Sequence, residues 1–209
     1  MSDAVLEKKL EIIPTIKDGV TLSLKNIGPI LVNVLLWGLT VWIPYLNIGT
    51  TIGLAVGIVT KVSRGETIPM TEVFDPKYRK YMGEFFLTAG LVGVGVGVGA
   101  ALFIAPGIVI GLAWSLSILL VIDKGKNPTE AISLSNNCTY GYKFKMFGVY
   151  FLAGLAFFIV DSILMGIGAA VGGGFAGFMM FIVFLISIFQ IFVFIGLEAS
   201  VYRQLTAHV

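Results

Sequence analysis

Histidine and cysteine are nearly missing from this chain of 209 residues, which has one of each, His208 and Cys138. A single histidine beside the C-terminus excludes histidine-based triads, His-x-x-x-His zinc helices and haem ligation as internal sites. A single cysteine excludes an intramolecular disulfide, and its basic surroundings predict a reduced, cytosolic setting. Charge is scarce as well, at 12% of residues. Within the apolar stretches no two carboxylates come as a pair, so general acid and base chemistry lacks its usual partners there. No nucleic-acid module is visible. These gaps predict a protein without cofactor or metal, and one that is not an enzyme.

What the chain does contain is apolar: 57% of residues are hydrophobic, the mean hydropathy is +0.96, and there are 26 glycines. Such values lie outside the range of soluble domains and indicate an integral membrane chain, read as one membrane domain over residues 1–209. The 14 lysines and arginines fall in four clusters, Lys8 to Lys25, Lys61 to Lys80, Lys124 to Lys145, and Arg203. Every second connection between apolar runs carries none. Short basic loops are retained on the cytoplasmic side, so this alternation predicts topology directly. Anionic lipid headgroups of that leaflet are the expected partner, not nucleic acid.

Crossing a hydrocarbon core of about 30 Å takes about 20 residues. By run length the chain holds six candidate spans, about 27–43, 46–62, 85–105, 106–122, 147–169 and 175–197. Charge-free turns at Pro44 to Asn47, Ala105-Pro106-Gly107 and Gly172-Gly173-Gly174 join them as three hairpins. Both termini are then expected on the cytoplasmic side. Residues 1–26 read as a charged, amphipathic segment that lacks the apolar core and cleavage site of a secretory signal peptide, so the N-terminus is expected to be retained. Trp37, Trp42 and Tyr45 are placed to anchor the two short first spans at an interface.

The two longer inner connections look alike. One runs from Arg64-Gly65 through Pro69, Thr71 and Glu72 to Lys77-Tyr78-Arg79-Lys80-Tyr81. The other runs from Lys124-Gly125 through Pro128, Thr129 and Glu130 to Tyr140, Tyr142, Lys143 and Lys145. Each reads as a short capped helix before a basic-aromatic entry into the next span, which suggests an internal repeat. Amphipathic helices of this kind lie in the headgroup layer, with Lys77, Arg79, Lys80, Lys143 and Lys145 on lipid phosphates.

Small residues recur every four positions at Gly49, Gly53 and Gly57, and again at Ala89, Gly93, Gly97, Ala101 and Ala105. Each series predicts a smooth ridge on which a neighbouring helix packs closely, with the second and third spans in the middle of the bundle. The alternating glycines from Leu91 to Gly99 do not make a dinucleotide loop, because the G-x-G-x-x-G spacing and the preceding strand are missing. The last span carries Phe175, Phe178, Phe181, Phe184, Phe189, Phe192 and Phe194 around its surface. Such a surface suits lipid or a second subunit.

Only Asp161 lies deep within a span, about 22 Å beyond Met146 on a continuous helix. A carboxylate at the bilayer centre costs roughly 2.5 to 3.5 kcal/mol, so it requires a partner, water or a proton. No cation shares its depth. Ser162, Ser187 and Gln190 are the nearby candidates, with Ser115 and Ser117 in the fourth span. Two readings stay open, a proton or cation site in a pathway and a hydrogen-bonded structural carboxylate. Glu84 and Glu198 fall near inner ends, where carboxylates reach water.

Pro106-Gly107-Ile108, Trp114, the run from Asp123 to Ile132, and Ser135 to Gly141 together resemble the bacterial YciC-type membrane proteins. The same stretch is similar to the membrane domain that precedes some glycerophosphodiester phosphodiesterases. The resemblance implies a six-helix prokaryotic plasma-membrane protein and brings no catalytic residue, since the phosphodiesterase chemistry belongs to a separate soluble domain. The expectation is therefore an all-α polytopic scaffold or accessory subunit that organises lipid or a membrane complex, with a small, oligomeric transporter or channel using Asp161 as the alternative.

Overall fold

The computed structural model describes residues 10–209; Lys8 and Lys9 of the first basic cluster lie outside the described residues. The described chain is helical throughout. Five helices are long and apolar enough to cross a membrane, or six if one bent pair counts as a single span.

That bent pair is the start of the chain. Helix α1 (Ile12–Lys25) meets α2 (Ile27–Thr40) at 75°. Asn26 makes the corner, its amide donating back to the Leu22 carbonyl at 2.9 Å. Pro29 follows in the first turn of α2, where a missing N–H costs nothing. At 1.5 Å per residue α2 is about 21 Å long, so the expected span 27–43 is too short to cross alone. The Trp37 indole N–H donates to Thr51 at 2.9 Å. Trp42 and Tyr45 do stand exposed.

The stretch Leu46–Arg64 is one continuous helix made of α3 (Leu46–Ile52), a π turn (Gly53–Ile58) and α4 (Val59–Arg64). It is the most enclosed of the five long helices. Gly65, at φ +68°, ends it in the left-handed conformation that glycine adopts without strain. The chain then turns back over the helix it has just left. Ile68, Val73 and Tyr78 are buried in this return. Asn33 of α2 clamps it, donating to the Pro69 carbonyl at 2.9 Å and accepting from the Val73 N–H at 3.0 Å.

The glycine ridge of this helix receives the returning loop rather than a neighbouring span. A Cβ on Gly53 would stand 2.8 Å from Val73 Cα, and one on Gly57 would overlap the Tyr78 hydroxyl. Gly49 lies under the Arg79 side chain. The expected amphipathic helix here is thus replaced by a 3-10 turn (Glu72–Phe74) and the one-turn α5 (Lys77–Lys80). The second inner connection does hold a full helix, α9 (Pro128–Thr139), capped by Asn127, which accepts from the Glu130 N–H at 2.9 Å. The two connections share a basic residue and a left-handed glycine at their start, but not the element that follows.

Helices α6 (Met82–Leu102) and α7 (Ile104–Trp114) form a hairpin that turns at extended Phe103. The turn precedes the predicted Ala105-Pro106-Gly107, because Pro106 is accommodated in the first helical turn. α7 and α8 (Ser117–Lys124) belong to one long helix interrupted at Ser115 and Leu116. Ser135 of α9 inserts there, donating to the Ala113 carbonyl at 2.7 Å and accepting from the Leu116 N–H at 3.2 Å. It satisfies the backbone groups the break sets free. α9 is therefore docked on α7 and α8, with Ala131, Ser135, Cys138 and Thr139 buried.

The third-span ridge also differs. An added Cβ on Gly93 or Gly97 would meet nothing within 4 Å, whereas one on Gly95 would overlap Trp114 and one on Gly99 would lie 3.0 Å from the Gly107 nitrogen. Gly93, Gly97 and Ala101 face outward. Glycine at every second position puts smooth surface on two opposite sides of a helix, so spacing four cannot select the packed side.

The last hairpin joins α10 (Lys143–Val171) to α11 (Gly173–Thr206) through Gly172 and Gly173, both at positive φ. The charged segment α1 packs along the far end of α11. A Cβ on Gly19 would be 2.8 Å from Leu197 Cα, so the backbones touch. Ser23 donates to the Phe192 carbonyl at 2.6 Å, and Asp18 receives Ser200 and, at 2.6 Å, Arg203. Its large residues Ile13 and Leu24 point away from the protein, both more than half exposed.

Buried side chains gather at one end, drawn from 52–62, 116–121, 146–153 and 192–205 together with the returning loop. The hairpins beyond that base stay bare: only 11% of the apolar window is buried in Met82–Leu102 and in Lys143–Val171. The total accessible surface of 11347 Å² exceeds the roughly 9500 Å² of a compact monomer of this mass. Phe86, Val94, Leu102, Phe103, Phe158 and Phe181 are among the exposed apolar residues. This distribution is that of a chain whose outer solvent is lipid.

Candidate functional site

Two polar rungs cross the α10–α11 hairpin. Tyr150 donates to Glu198 Oε2 at 2.6 Å, and Gln190 Nε2 donates to Asp161 Oδ2 at 2.8 Å. The antiparallel pairing aligns them, about 16 Å apart along α10 and about 12 Å along α11. Each rung holds one carboxylate and one neutral donor. The second oxygen of Asp161 is buried and accepts nothing, the one such orphan side-chain atom among the described residues. A buried acceptor without a donor costs about 1 to 3 kcal/mol, so the position is an expensive one for a purely structural residue.

Beside these rungs lies a groove of about 440 Å³. Ala55 and Val59 form one wall. The other wall is a stripe of α11, with Ser187 and Gln190 at one end, Glu198 at the other, and Ile191, Phe194 and Ile195 between. Those positions recur every three or four residues and share one helical face, so the groove runs about 16 Å along α11. Ala55 sits in the π turn, where an extra residue per turn widens the helix; such turns are frequent at functional sites. Its side chain is exposed to the groove.

A second constellation closes the basic end. Glu72 is 3% exposed and receives Lys61 at 2.7 Å, Lys77 at 3.1 Å and the Tyr78 hydroxyl. Burial alone would raise the Glu72 carboxyl, but the hydrogen bonds from Lys61, Tyr78 and Lys77 outweigh it and hold it below its ordinary value. Burial and the adjoining Glu72 charge together push the Tyr78 phenol well up, so it stays a donor. Nearby, Asp123 joins three helices, receiving Arg64 on one oxygen and the Tyr202 hydroxyl, at 2.7 Å, on the other.

Of the residues singled out in the sequence, Asp161, Gln190 and Ser187 come together, the first two by a direct bond and Ser187 through the groove wall. Ser187 itself donates to Val183 within its own helix. Ser162 is exposed and stands apart from the rung. Ser115 and Ser117 bond to Leu112 and Trp114 of their own helix, so neither partners Asp161. Glu198 is tied into the hairpin by Tyr150. Of the five basic residues assigned to headgroups, Lys77 is bound to Glu72 and Asp75. Lys143 donates to Asn136 at 3.1 Å and lies over Tyr140, Lys145 lies over Tyr142, Arg79 lies across Gly49, and Lys80 is exposed.

Sequence reasoning missed Tyr150 and Asn33, and it read Glu198 only as an inner-end carboxylate and Glu72 only as part of a repeated connection. The signal for the Tyr150–Glu198 pair was available: Tyr150 and Asp161 share a face of α10, as Gln190 and Glu198 share one of α11. No family model matches the chain, and neither do any curated proteins or solved structures.

Proposed function

We propose that this chain is a non-enzymatic multi-pass protein of a prokaryotic plasma membrane, a scaffold or accessory subunit that organises lipid or a membrane complex. The observation that supports this most is the pair of bare apolar hairpins, α6–α7 and α10–α11, rising from a base knit by Glu72, Asp123 and Asp18. A rigid base with uncovered hairpins suits a protein that works by lateral contact in the bilayer. Both termini and the basic connections lie on the cytoplasmic side in this reading, with Lys80 and its neighbours toward anionic headgroups. The likeness to YciC-type proteins agrees with such a setting and adds no chemistry.

A second reading, a small transporter, draws support from the orphan oxygen of Asp161. Purified protein in proteoliposomes separates the two. The scaffold reading expects cation and proton flux equal to that of empty vesicles for wild type and Asp161→Asn alike. A flux present in wild type and lost in Asp161→Asn overturns it. Native mass spectrometry from nanodiscs supplies the other arm, with the protein expected in assemblies with itself or with a second chain and a uniform monomer speaking against lateral assembly.

A further inference from the structure

We propose that the groove between the π turn and α11 binds a membrane amphiphile carrying a protonated amine, with its ammonium on Glu198 and its hydrocarbon chain along Ile191, Phe194 and Ile195. This goes beyond a scaffold role and depends only on the chain residing in a membrane.

The argument begins with the carboxylate. Tyr150 occupies Glu198 Oε2, while Oε1 has no hydrogen-bond partner and is not sealed from the groove that Glu198 lines. No lysine or arginine lines the same groove. An ammonium head entering that chamber supplies the counter-charge that makes the Glu198 carboxylate stable in a low dielectric, whereas phosphate, sulfate and carboxylate heads bring like charge. An ammonium carries three donors, enough for Glu198 and for ordered headgroup water.

Position agrees with chemistry. Glu198 lies five residues before Arg203, about 7 Å nearer the middle of α11, which suits the level where a lipid head meets its chain. From there the groove continues about 16 Å past the aliphatic and aromatic side chains to Gln190 and Ser187. Its volume of about 440 Å³ falls in the range of small-molecule sites, and its walls are mainly apolar with a few convergent polar groups. Ala55 lines this groove from the π turn with a small, exposed side chain, and a larger residue there would take up its space.

The test uses three photoreactive probes of equal chain length, a long-chain amine, the matching alcohol and the matching carboxylic acid, each bearing a diazirine on the chain. They are added to the full chain in nanodiscs, and labelled peptides are read by mass spectrometry. Wild type is expected to label within 187–198 and near Val59 at least fivefold more with the amine than with the alcohol or the acid. Glu198→Gln is expected to reduce that preference to parity while keeping labelling by the alcohol. Ala55→Phe places bulk in open space and is expected to lower labelling by all three. Equal labelling of wild type by the three probes overturns the proposal, as does a preference that survives in Glu198→Gln. Failure of the chain to incorporate into nanodiscs refutes the membrane reading instead, and so is distinguishable from failure of this one.

Discussion

Replacing Glu72 by glutamine keeps the shape of the side chain and removes its charge at the point where the returning loop is fastened to the 46–64 helix. Three donors converge on that carboxylate, and they are not equal. Lys61, with its side chain 17% exposed, loses a charged hydrogen bond of about 1.5 to 3 kcal/mol. Tyr78, 1% exposed, retains at best a neutral acceptor, a loss of about 1 kcal/mol. Lys77 is 45% exposed and still has Asp75, so its share is near zero. The sum is about 3 kcal/mol, consistent with breaking one side of a buried ion pair. Unfolding in mixed micelles by added SDS, followed by tryptophan fluorescence, measures it. The sign of the pH dependence is also set. Because Glu72 is held below its ordinary 4.5, its contribution is fully present above that value and is lost as pH falls through the lowered folded-state value. Wild type and Glu72→Gln should therefore differ by about 3 kcal/mol at pH 7 and converge in acid. A difference under about 0.5 kcal/mol at pH 7, or one that grows in acid, would refute the reasoning.

The glycines of α6 yield a paired prediction: Gly93→Ala and Gly97→Ala should be neutral or stabilising by up to about 1 kcal/mol through helix propensity, while Gly95→Ala and Gly99→Ala should destabilise through contact with Trp114 and Gly107. The same SDS titration scores all four. Ser135→Ala strands the Leu116 N–H at the α7–α8 break and leaves the Ala113 carbonyl only the 3.3 Å bond from Thr139; it should cost about 1 to 3 kcal/mol, with faster amide exchange confined to 113–120. Glu130→Gln is the contrasting case, an exposed pair with Lys126 whose loss should cost no more than about 0.5 kcal/mol.

Run length and charge placement located the long helices, because both report on solvent, and the solvent of a membrane chain changes abruptly along the sequence. The left-handed glycines at Gly65 and Gly125 and the cap at Asn127 were equally legible, since each is a local device. The return of residues 65–81 into the protein was not. Lys77-Tyr78-Arg79-Lys80 reads as a surface run, and only the smooth face of Gly53 and Gly57 makes room to bury Tyr78 between two cations. Two ridges with the same spacing met different fates, one covered by a loop and one facing out, because small residues permit close approach without choosing the partner. The candidate site was half visible. Asp161 stood out as the lone charge in its span, whereas Glu198 sat near enough to Arg203 to pass for an end group until the hairpin register brought Tyr150 beside it.

The central claim is that the basic base and the bare hairpin tips lie on opposite faces of one membrane. Single cysteines at Phe103→Cys and Gly174→Cys, at the tips, and at Lys126→Cys, at the base, test it in a Cys138→Ser background with a membrane-impermeant thiol reagent on whole cells. The account predicts labelling of Phe103→Cys and Gly174→Cys in intact cells and of Lys126→Cys only after permeabilisation. Labelling of all three in intact cells, or of a tip and the base under the same condition only, contradicts it.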